Sequence, residues 1–400
     1  MSRVLCQVIG CGPAALGLLV AADRTGELPR LLGQGVRYLD RAPNARALGR
    51  LRFPFLIDAN SVGGDFIAAL RPDGYFARAL EGRAGRTLRE HHDQPVPLAL
   101  VGEFMNDLSR VAEDAIPGGF KYGADVHRLH RNPDGSWTSV DRFGSALVTS
   151  ERVVLATGGR EDTAAISARY GIPEGRLVGS AQLLSGRFAE AARVLQGGGN
   201  IAILGGSHSG FAAAELLLNR YGEAITPGSL SLIHRGLALA HESLAEAQSM
   251  PEEALRHLEV CQESGMVNRF HGLRAGPREL CLRTLRGDEQ RLSLYQSGSV
   301  TAQRVLAEAD LVIHCVGYRP RGVPLYDEWG DPISVRGASG AVDDRCRLVQ
   351  DELGAVPGVF GLGLGYARLD AWGRRRVGIN AFHGEDAGQV VSEVLATAAA

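Results

Sequence analysis

An α/β fold built from two similar halves is predicted by this sequence, and two glycine-rich turns are the main reason. The first turn, Gly10–Gly17, follows the apolar pair Val8–Ile9, and the second, Gly205–Gly210, follows Ile203–Leu204. Each turn opens a small-residue segment that is typical of a helix, so each half has the Rossmann-like form that cradles a dinucleotide pyrophosphate. Two such domains in one chain suggest that one dinucleotide passes a hydride to another.

The residues assigned to the turns are small or polar because the backbone must approach a phosphate closely there. The first glycine turns the chain, and the last small residue lets helix and strand pack together. The predicted cofactor-binding residues are Gly10, Gly12, Pro13, Ala14 and Ala15 in the first turn, and Gly205, Ser207, His208, Ser209 and Gly210 in the second.

Length and composition agree with this interpretation and exclude several classes of protein. The chain has 400 residues, 45% of them apolar, so it can bury the cores of two or three domains. A formal net charge of −2 gives no reason to expect nucleic acid or an anionic membrane as a partner. No apolar run reaches the roughly 18–20 residues of a membrane span, and the N-terminus does not read as a signal peptide. We expect a cytoplasmic protein, and the sequence leaves homo-oligomerisation open.

Cysteine and histidine spacing predicts neither a redox-active disulfide nor a metal site. The six cysteines form no CxxC or CxxxxC pair, and most lie in apolar contexts, where cysteine acts as a small buried hydrophobe. His127 and His130 are three apart in a predicted strand, which places them on opposite faces.

The residue that ends the second strand of each half distinguishes the two nucleotide sites. In the first half this residue is Asp40, whose carboxylate suits a ribose diol and repels a 2′-phosphate, so the site should bind FAD or NAD. The adjacent Arg41 is assigned to the same site. In the second half Arg235 takes the equivalent place, and its guanidinium matches a 2′-phosphate, so this site should prefer NADPH, with His234 beside it. The alternatives to these cofactor-binding roles are that Asp40 is only an exposed aspartate at the end of a strand, and that Arg235 is an incidental surface arginine.

Other elements of the first half follow from periodicity. The segment 51–76 predicts a long loop with short extended pieces, and its part Phe53–Phe66 is a candidate cover for a site. Apolar residues at three- and four-residue spacing predict a helix over Pro97–Glu113. Strands separated by turns are predicted from Lys121 to Thr149, and the apolar strand Arg152–Gly159 follows them.

The second half is predicted in the same way. A helix over Phe211–Leu218 follows the second turn, and from Pro251 to Leu294 a helical stretch is expected to give way to alternating strand-like segments. Late strands are expected within Ala309–Pro320 and Gly358–Gly365. A final helix begins near Gly384.

With these features in order, the chain resembles the two-dinucleotide-binding-domain flavoproteins, and within them the class B flavin monooxygenases of the lysine and ornithine N-hydroxylase branch. The resemblance rests on both glycine turns with Asp40 and Arg235, and on the strand end Ala156-Thr157-Gly158. The family's late strand ends in Ala-Thr-Gly-Tyr. Here Cys315-Val316-Gly317-Tyr318 keeps the glycine and tyrosine but replaces the Ala-Thr pair. The Baeyer–Villiger fingerprint is not visible.

The resemblance implies a domain arrangement and further cofactor contacts. The NADPH-binding domain, residues 195–325, is expected to be inserted in a discontinuous FAD-binding domain, residues 1–165 and 335–400. The additional cofactor-binding residues that it implies are Gly158, Gly317, Tyr318 and Gly365.

The implied function is FAD-dependent, NADPH-consuming oxygenation of a small amine or amino-acid-like substrate by dioxygen, through a flavin C4a-hydroperoxide. The final helix would direct its N-terminus at the reduced flavin. Asn60, Ser61 and His383 are the candidate catalytic residues, although Asn60 and Ser61 fit loop-stabilising turns equally well. His208 either contacts the pyrophosphate or nicotinamide ribose or faces solvent. The alternatives are an NAD(P)H:FAD reductase or dehydrogenase with another acceptor, and a non-catalytic flavin- or nucleotide-binding protein.

Overall fold

The computed structural model is an α/β protein, and it describes residues 3–43, 55–250, 258–262, 264–269, 271–337, 341–350, 353–369 and 375–396. Its α-helices are α1 (Pro13–Arg24), α2 (Leu28–Gly33), α3 (Gly63–Ile67), α4 (Arg83–Glu90), α5 (Leu98–Ala115), α6 (Thr163–Tyr170), α7 (Ser180–Leu184), α8 (Ala189–Gln196), α9 (His208–Tyr221), α10 (Leu244–Gln248), α11 (Ala275–Arg286), α12 (Val300–Glu308) and α13 (Glu385–Ala396). Short 3₁₀ helices occur at Tyr75–Glu81, Glu174–Arg176 and Gly378–Ala381.

The β-strands are shorter on average than the helices. They are β1 (Val4–Ile9), β2 (Val36–Asp40), β3 (Asp58–Val62), β4 (Pro95–Pro97), β5 (Phe120–Tyr122), β6 (Arg128–Arg131), β7 (Trp137–Val140), β8 (Ala146–Leu155), β9 (Gly159–Arg160), β10 (Leu177–Gly179), β11 (Ile201–Leu204), β12 (Leu230–His234), β13 (Leu292–Gln296), β14 (Leu311–His314), β15 (Arg319–Pro320), β16 (Leu325–Tyr326), β17 (Pro332–Ile333), β18 (Arg347–Gln350) and β19 (Gly354–Gly361).

The chain divides into two compact units. The first comprises Met1–Phe53, Val62–Arg160 and Tyr318–Ala400, and the second comprises Pro54–Ser61 and Glu161–Gly317. The second unit therefore begins well before residue 195, the start that the sequence predicts for the inserted domain. Part of the predicted covering loop also belongs to it, and Leu56 N donates a hydrogen bond to Leu184 O at 2.8 Å.

The first unit is built on a mixed sheet in the order β17-β16-β6-β7-β8-β1-β2-β5, and β19 also pairs with β8. Strand β1 lies between β2 and β8 and is parallel to both. All six of its residues are buried, as expected of a central strand covered on both faces. Helix α1 packs against α5 and α13. The first glycine turn thus leaves the centre of the sheet.

The second unit has a parallel five-stranded sheet in the order β10-β14-β11-β12-β13. Side chains of β11 alternate between its two faces: Ile203 joins the cluster that contains Phe211 of α9, whereas Leu204 joins the cluster that contains Leu306 of α12. Helices therefore cover both faces, which is the doubly wound arrangement. The strand order reverses between β11 and β14, and the second glycine turn leaves the sheet there, where ligands of such sheets bind.

Most predicted elements are confirmed. The helix predicted over Pro97–Glu113 is α5, the strands expected from Lys121 to Thr149 are β5–β8, and the final helix is α13. The predicted α/β class is confirmed as well. None of the helices in the described part of the chain is long and apolar enough to cross a membrane.

One wrong prediction concerns the alternating strands expected before Leu294. Helix α11 replaces most of them, and it ends where Gly287 adopts a φ of +83° as a left-handed cap. Leu280 and Leu282 are both buried on this helix. Residues 251–257, where the predicted helical stretch begins, lie outside the described residues.

The predicted covering loop is also more ordered than its composition suggests. It contains helix α3, whose entry is fixed by Val62 N donating to an Asp65 carboxylate oxygen at 3.2 Å. The hydrogen bond satisfies a backbone donor at the start of the helix, so even this short element has a defined beginning. The loop residues Phe53 and Pro54 lie outside the described residues.

Candidate functional site

The first glycine turn connects β1 to α1. Gly10 has a φ of +97°, and a Cβ there would lie 2.4 Å from a backbone carbonyl oxygen, so only glycine fits. Gly12 is the N-cap of α1, and a Cβ on it would have no heavy atom within 4 Å. Pro13 begins the helix, and Ala14 and Ala15 are buried in its first turn. The turn has the open, small-residue form that a pyrophosphate requires.

Asp40 ends β2 and binds the first turn directly. Its Oδ2 accepts a hydrogen bond from Cys11 N at 2.8 Å, and its Oδ1 accepts one from Ala42 N at 2.7 Å. A carboxylate oxygen can accept more than one hydrogen bond, so both oxygens retain capacity for ribose hydroxyls. The adjacent Arg41 is exposed. These residues fit the adenosine diphosphate portion of FAD.

The second glycine turn connects β11 to α9. Gly205 has a φ of +133°, and a Cβ on Gly210 would lie 1.9 Å from Gly205 O, so helix and turn are in direct backbone contact. Ser207 is the N-cap of α9, His208 is the first residue of the helix, and Ser209 follows it. The N-terminus of this fourteen-residue helix thus points out of the turn, as required for an anion.

The residues at the end of β12 lie beside the second turn. A Cβ on Gly206 would lie 2.3 Å from His234 Cβ, which places half-buried His234 against the turn. Arg235 is exposed and forms no ion pair with any residue that the structure describes. A guanidinium in this position can form paired hydrogen bonds with a phosphate. The second turn therefore fits a 2′-phosphorylated dinucleotide.

The residues that the resemblance added are divided between the two units. Tyr318 packs against the strand end of the first unit, because a Cβ on Gly159 would lie 2.6 Å from Tyr318 Cβ. A Cβ on Gly365 would lie 2.7 Å from Gly158 O, so these backbones also touch. The structure thus brings Gly158, Tyr318 and Gly365 together, whereas Gly317, with a φ of +92°, ends the second unit.

His383 is buried immediately before α13. Its Nε2 forms a hydrogen bond with Phe66 O at 3.2 Å, and burial lowers its pKa to about 4. The imidazole is therefore neutral near pH 7, with one nitrogen committed to the backbone. This environment gives His383 a role in holding Phe66, and its assignment as a catalytic residue stays a prediction.

The N-terminus of α13 is partly satisfied by the protein itself. Asp386 N donates a hydrogen bond to Asn380 Oδ1 at 3.2 Å, so this backbone donor is already engaged. The first turn also carries two carboxylates: Glu385 pairs with Arg376 at 2.9 Å, and buried Asp386 pairs with Arg368. These contacts reduce the share of the helix dipole that is left for a bound flavin. The proposed stabilisation of reduced flavin by this helix stays a prediction.

Asn60 and Ser61 lie on β3, in the stretch that belongs to the second unit, whereas His383 belongs to the first. Asn60 Nδ2 donates a hydrogen bond to Gly272 O at 3.2 Å, and Arg274 Nη1 lies 3.5 Å from Asn60 O. On the same strand, Asp58 O accepts a hydrogen bond from His208 Nε2 at 3.2 Å. Burial lowers the pKa of His208, so its imidazole is neutral.

A buried asparagine organises the loop that contacts Asn60. Asn268 has a φ of +54°, and its side chain donates to Leu239 O at 2.9 Å and accepts from Glu259 N at 3.0 Å. The backbone carbonyl oxygen of Asn268 accepts a hydrogen bond from Gly272 N at 2.8 Å. This network fixes the carbonyl that receives the Asn60 amide. Asparagine is among the few residues that tolerate this backbone region, but the sequence alone did not single it out.

Sequence reasoning also missed Tyr122 and Glu113 beside the first turn. Tyr122 ends β5 in register with Asp40, and its hydroxyl donates a hydrogen bond to the Glu113 carboxylate. Burial and this carboxylate raise the pKa of Tyr122 well above its ordinary value. The sequence does contain a signal for it, because β5 is the third strand of the first nucleotide unit and its end must reach the same edge as Asp40.

Comparisons with known proteins agree with this geometry, although no family model matches the chain. The chain is 29% identical over 375 residues to the CMP-5′-(3-aminopropyl)phosphonate hydroxylase of Streptomyces rubellomurinus, covering 86% of this chain and 84% of that protein. Its structure is similar to that of L-lysine 6-monooxygenase from Pseudomonas syringae, with a TM-score of 0.59, 16% identity, and coverage of 98% and 99% of the two chains.

A second structural neighbour is the ornithine N-hydroxylase of Kutzneria sp. 744, in complex with reduced FAD, NADP⁺ and L-ornithine. It has a TM-score of 0.56 and 14% identity, with coverage of 98% of this chain and 99% of that one. The chain has the fold of the class B flavin monooxygenases. The predicted resemblance and the predicted two-dinucleotide-domain fold are therefore confirmed.

Proposed function

We propose that this protein is an FAD-dependent monooxygenase that consumes NADPH and dioxygen to hydroxylate the nitrogen of a small primary amine. One observation carries the proposal. Each glycine turn follows a strand that is parallel to its neighbours, and the next strand of each unit leads to a charged residue, which is negative in the first unit and positive in the second. Asp40 accepts backbone hydrogen bonds at the first turn, and Arg235 is an unpaired cation among the described residues at the second. Opposite charges at equivalent positions assign the turns to different dinucleotides.

The chain's own residues bind, orient and discriminate the two cofactors. Asp40 and the open face of Gly12 would hold the adenosine diphosphate portion of FAD, and Arg235 with His234 would hold the 2′-phosphate of NADPH. When bound, FAD supplies the transfer of electrons from NADPH to dioxygen.

The relatives support an amine substrate and the oxygenase interpretation over the reductase alternative. The curated relative is a hydroxylase named for an aminopropylphosphonate nucleotide conjugate, and the structural neighbours are named as a lysine monooxygenase and an ornithine N-hydroxylase. Each named substrate carries a terminal primary amine on an aliphatic chain. We therefore assign that chemical group as the site of oxygenation here.

Isotope labelling tests the proposal directly. The purified FAD-loaded protein is incubated with NADPH and labelled dioxygen in the presence of L-lysine, L-ornithine, 3-aminopropylphosphonate or its cytidylyl conjugate. We expect at least one amine to gain a single labelled oxygen atom on nitrogen, with one NADPH consumed per product. Rapid NADPH consumption with all oxygen recovered as hydrogen peroxide, for every amine, would favour the reductase. Absence of NADPH consumption would favour a non-catalytic protein.

A further inference from the structure

Among the buried polar side-chain atoms of the second unit that have no hydrogen-bond partner in the described residues, one belongs to β3 and one to the start of α9. They are Asn60 Oδ1 and His208 Nδ1. Asn60 Nδ2 donates to Gly272 O, and His208 Nε2 donates to Asp58 O. Since a carbonyl oxygen only accepts, these partners fix the amide orientation and the tautomer. The remaining oxygen of Asn60 and the remaining ring nitrogen of neutral His208 are therefore both acceptors.

His208 links the start of α9 to the strand that carries Asn60. His208 is the first residue of α9, and it is bonded to the backbone of Asp58, two residues from Asn60 on β3. Residues two apart on a strand are separated by roughly 7 Å. The stretch is held there by Gly272 and by Arg274, both of the same unit. A backbone spacing of this size is within the length of one dinucleotide.

A ligand with hydrogen-bond donors is needed to satisfy them. A buried acceptor that lacks a donor is unfavourable, and such atoms are uncommon unless a ligand or water supplies one. A pyrophosphate at neutral pH offers acceptors only, so it cannot pair with either atom. The nicotinamide-ribose half of a dinucleotide offers carboxamide N–H and ribose O–H groups, which can.

We propose that Asn60 and His208 recognise the nicotinamide-ribose half of NADPH, with Asn60 Oδ1 accepting from the carboxamide and His208 Nδ1 accepting from a ribose hydroxyl. The proposal rests on the function proposed above, in which the second turn holds NADPH. It separates two tasks within one site, because Arg235 addresses the 2′-phosphate at the adenosine end.

Three ligands distinguish the two ends of the site in the FAD-loaded, oxidised protein. They are NADP⁺, its 3-acetylpyridine analogue, which has no carboxamide N–H, and 2′,5′-ADP, which has only the adenosine end. Calorimetric titration of the wild type should show NADP⁺ binding roughly two- to tenfold more tightly than the acetyl analogue, as for one lost neutral hydrogen bond. This comparison needs no variant, so a folding defect cannot obscure it.

Variants then assign the atoms. Asn60→Ala should remove the preference for NADP⁺ over the acetyl analogue. His208→Ala should weaken the binding of NADP⁺ and of the acetyl analogue by a similar factor of roughly two to ten. Neither should change 2′,5′-ADP binding, which also reports that the site is folded. The matched control Arg235→Ala should weaken all three ligands and keep the preference for the carboxamide.

Equal affinity of the wild type for NADP⁺ and the acetyl analogue would overturn the role of Asn60. Parallel losses of NADP⁺ and 2′,5′-ADP affinity in the variants would show a merely structural role and would overturn the inference. Failure of the wild type to bind 2′,5′-ADP at all would instead overturn the assignment of the second turn to NADPH, and the inference with it.

Discussion

Gly12→Ala should separate ligand binding from folding at the first turn. Gly12 has a φ of −77° and a ψ of −172°, which alanine adopts without strain, and its Cβ would have no heavy atom within 4 Å. The stability of the apoprotein should therefore change little, because a gain of about 0.4–1 kcal/mol from reduced unfolded-state entropy is opposed by the poorer N-cap that alanine makes. The new methyl group would occupy the space through which a pyrophosphate approaches. Loss of one charge-assisted hydrogen bond, about 1.5–3 kcal/mol, weakens FAD binding by roughly ten- to a hundredfold.

The assay is flavin fluorescence quenching during titration of apoprotein with FAD, together with thermal unfolding of each apoprotein. Gly33→Ala is the matched control, because it makes the same chemical change at an exposed helix end where a Cβ also meets nothing within 4 Å. The control should bind FAD like the wild type. The reasoning would be refuted if Gly12→Ala bound FAD as tightly as the wild type. It would also be refuted if the apoprotein of this variant were destabilised enough to account for its weaker FAD binding.

Three further changes test other assigned roles. Arg235→Ala should raise the KM for NADPH by roughly ten- to a hundredfold, because a charged contact of about 1.5–3 kcal/mol is lost, and should leave the KM for NADH nearly unchanged. Equal increases of both KM values in steady-state kinetics would remove the specificity assignment. Gly17→Ala should lower the unfolding temperature of the apoprotein, because its Cβ would lie 1.8 Å from Phe382 O; an unchanged melting curve would contradict this packing. Burial lowers the folded-state pKa of His383 to about 4, so the unfolded chain binds the proton first as pH falls. Urea unfolding should show about 2 kcal/mol of stability lost through this group between about pH 6.5 and about pH 5, and His383→Gln should remove that part of the slope, whereas parallel curves would count against it.

The architecture could be predicted from the sequence because its signals are local. A glycine turn after an apolar strand encodes its own backbone geometry, so Gly10 and Gly205 can be placed from the pattern alone, and both have positive φ. The charges of Asp40 and Arg235 need only the register of the following strand. Helix α11 could not be distinguished from strands, because short apolar segments fit a buried strand as well as a buried helix.

The remaining features depend on contacts between residues distant in sequence. His208 and Asp58 are 150 positions apart, and only the fold shows that they are bonded. In the same way, the role of Asn268 depends on partners in two other segments, and its left-handed backbone has no sequence signature of its own. The burial that keeps His383 neutral is also invisible in the sequence. Long-range packing decides such environments, and periodicity does not report it.

The central claim is that hydride passes from NADPH at the second turn to FAD at the first. Anaerobic mixing of the FAD-loaded protein with NADPH tests it most directly, with flavin absorbance followed by stopped-flow. We predict complete bleaching of the yellow flavin with one NADPH oxidised per flavin, much faster than with NADH at the same concentration. Persistence of the oxidised flavin spectrum in the presence of bound NADPH would contradict it.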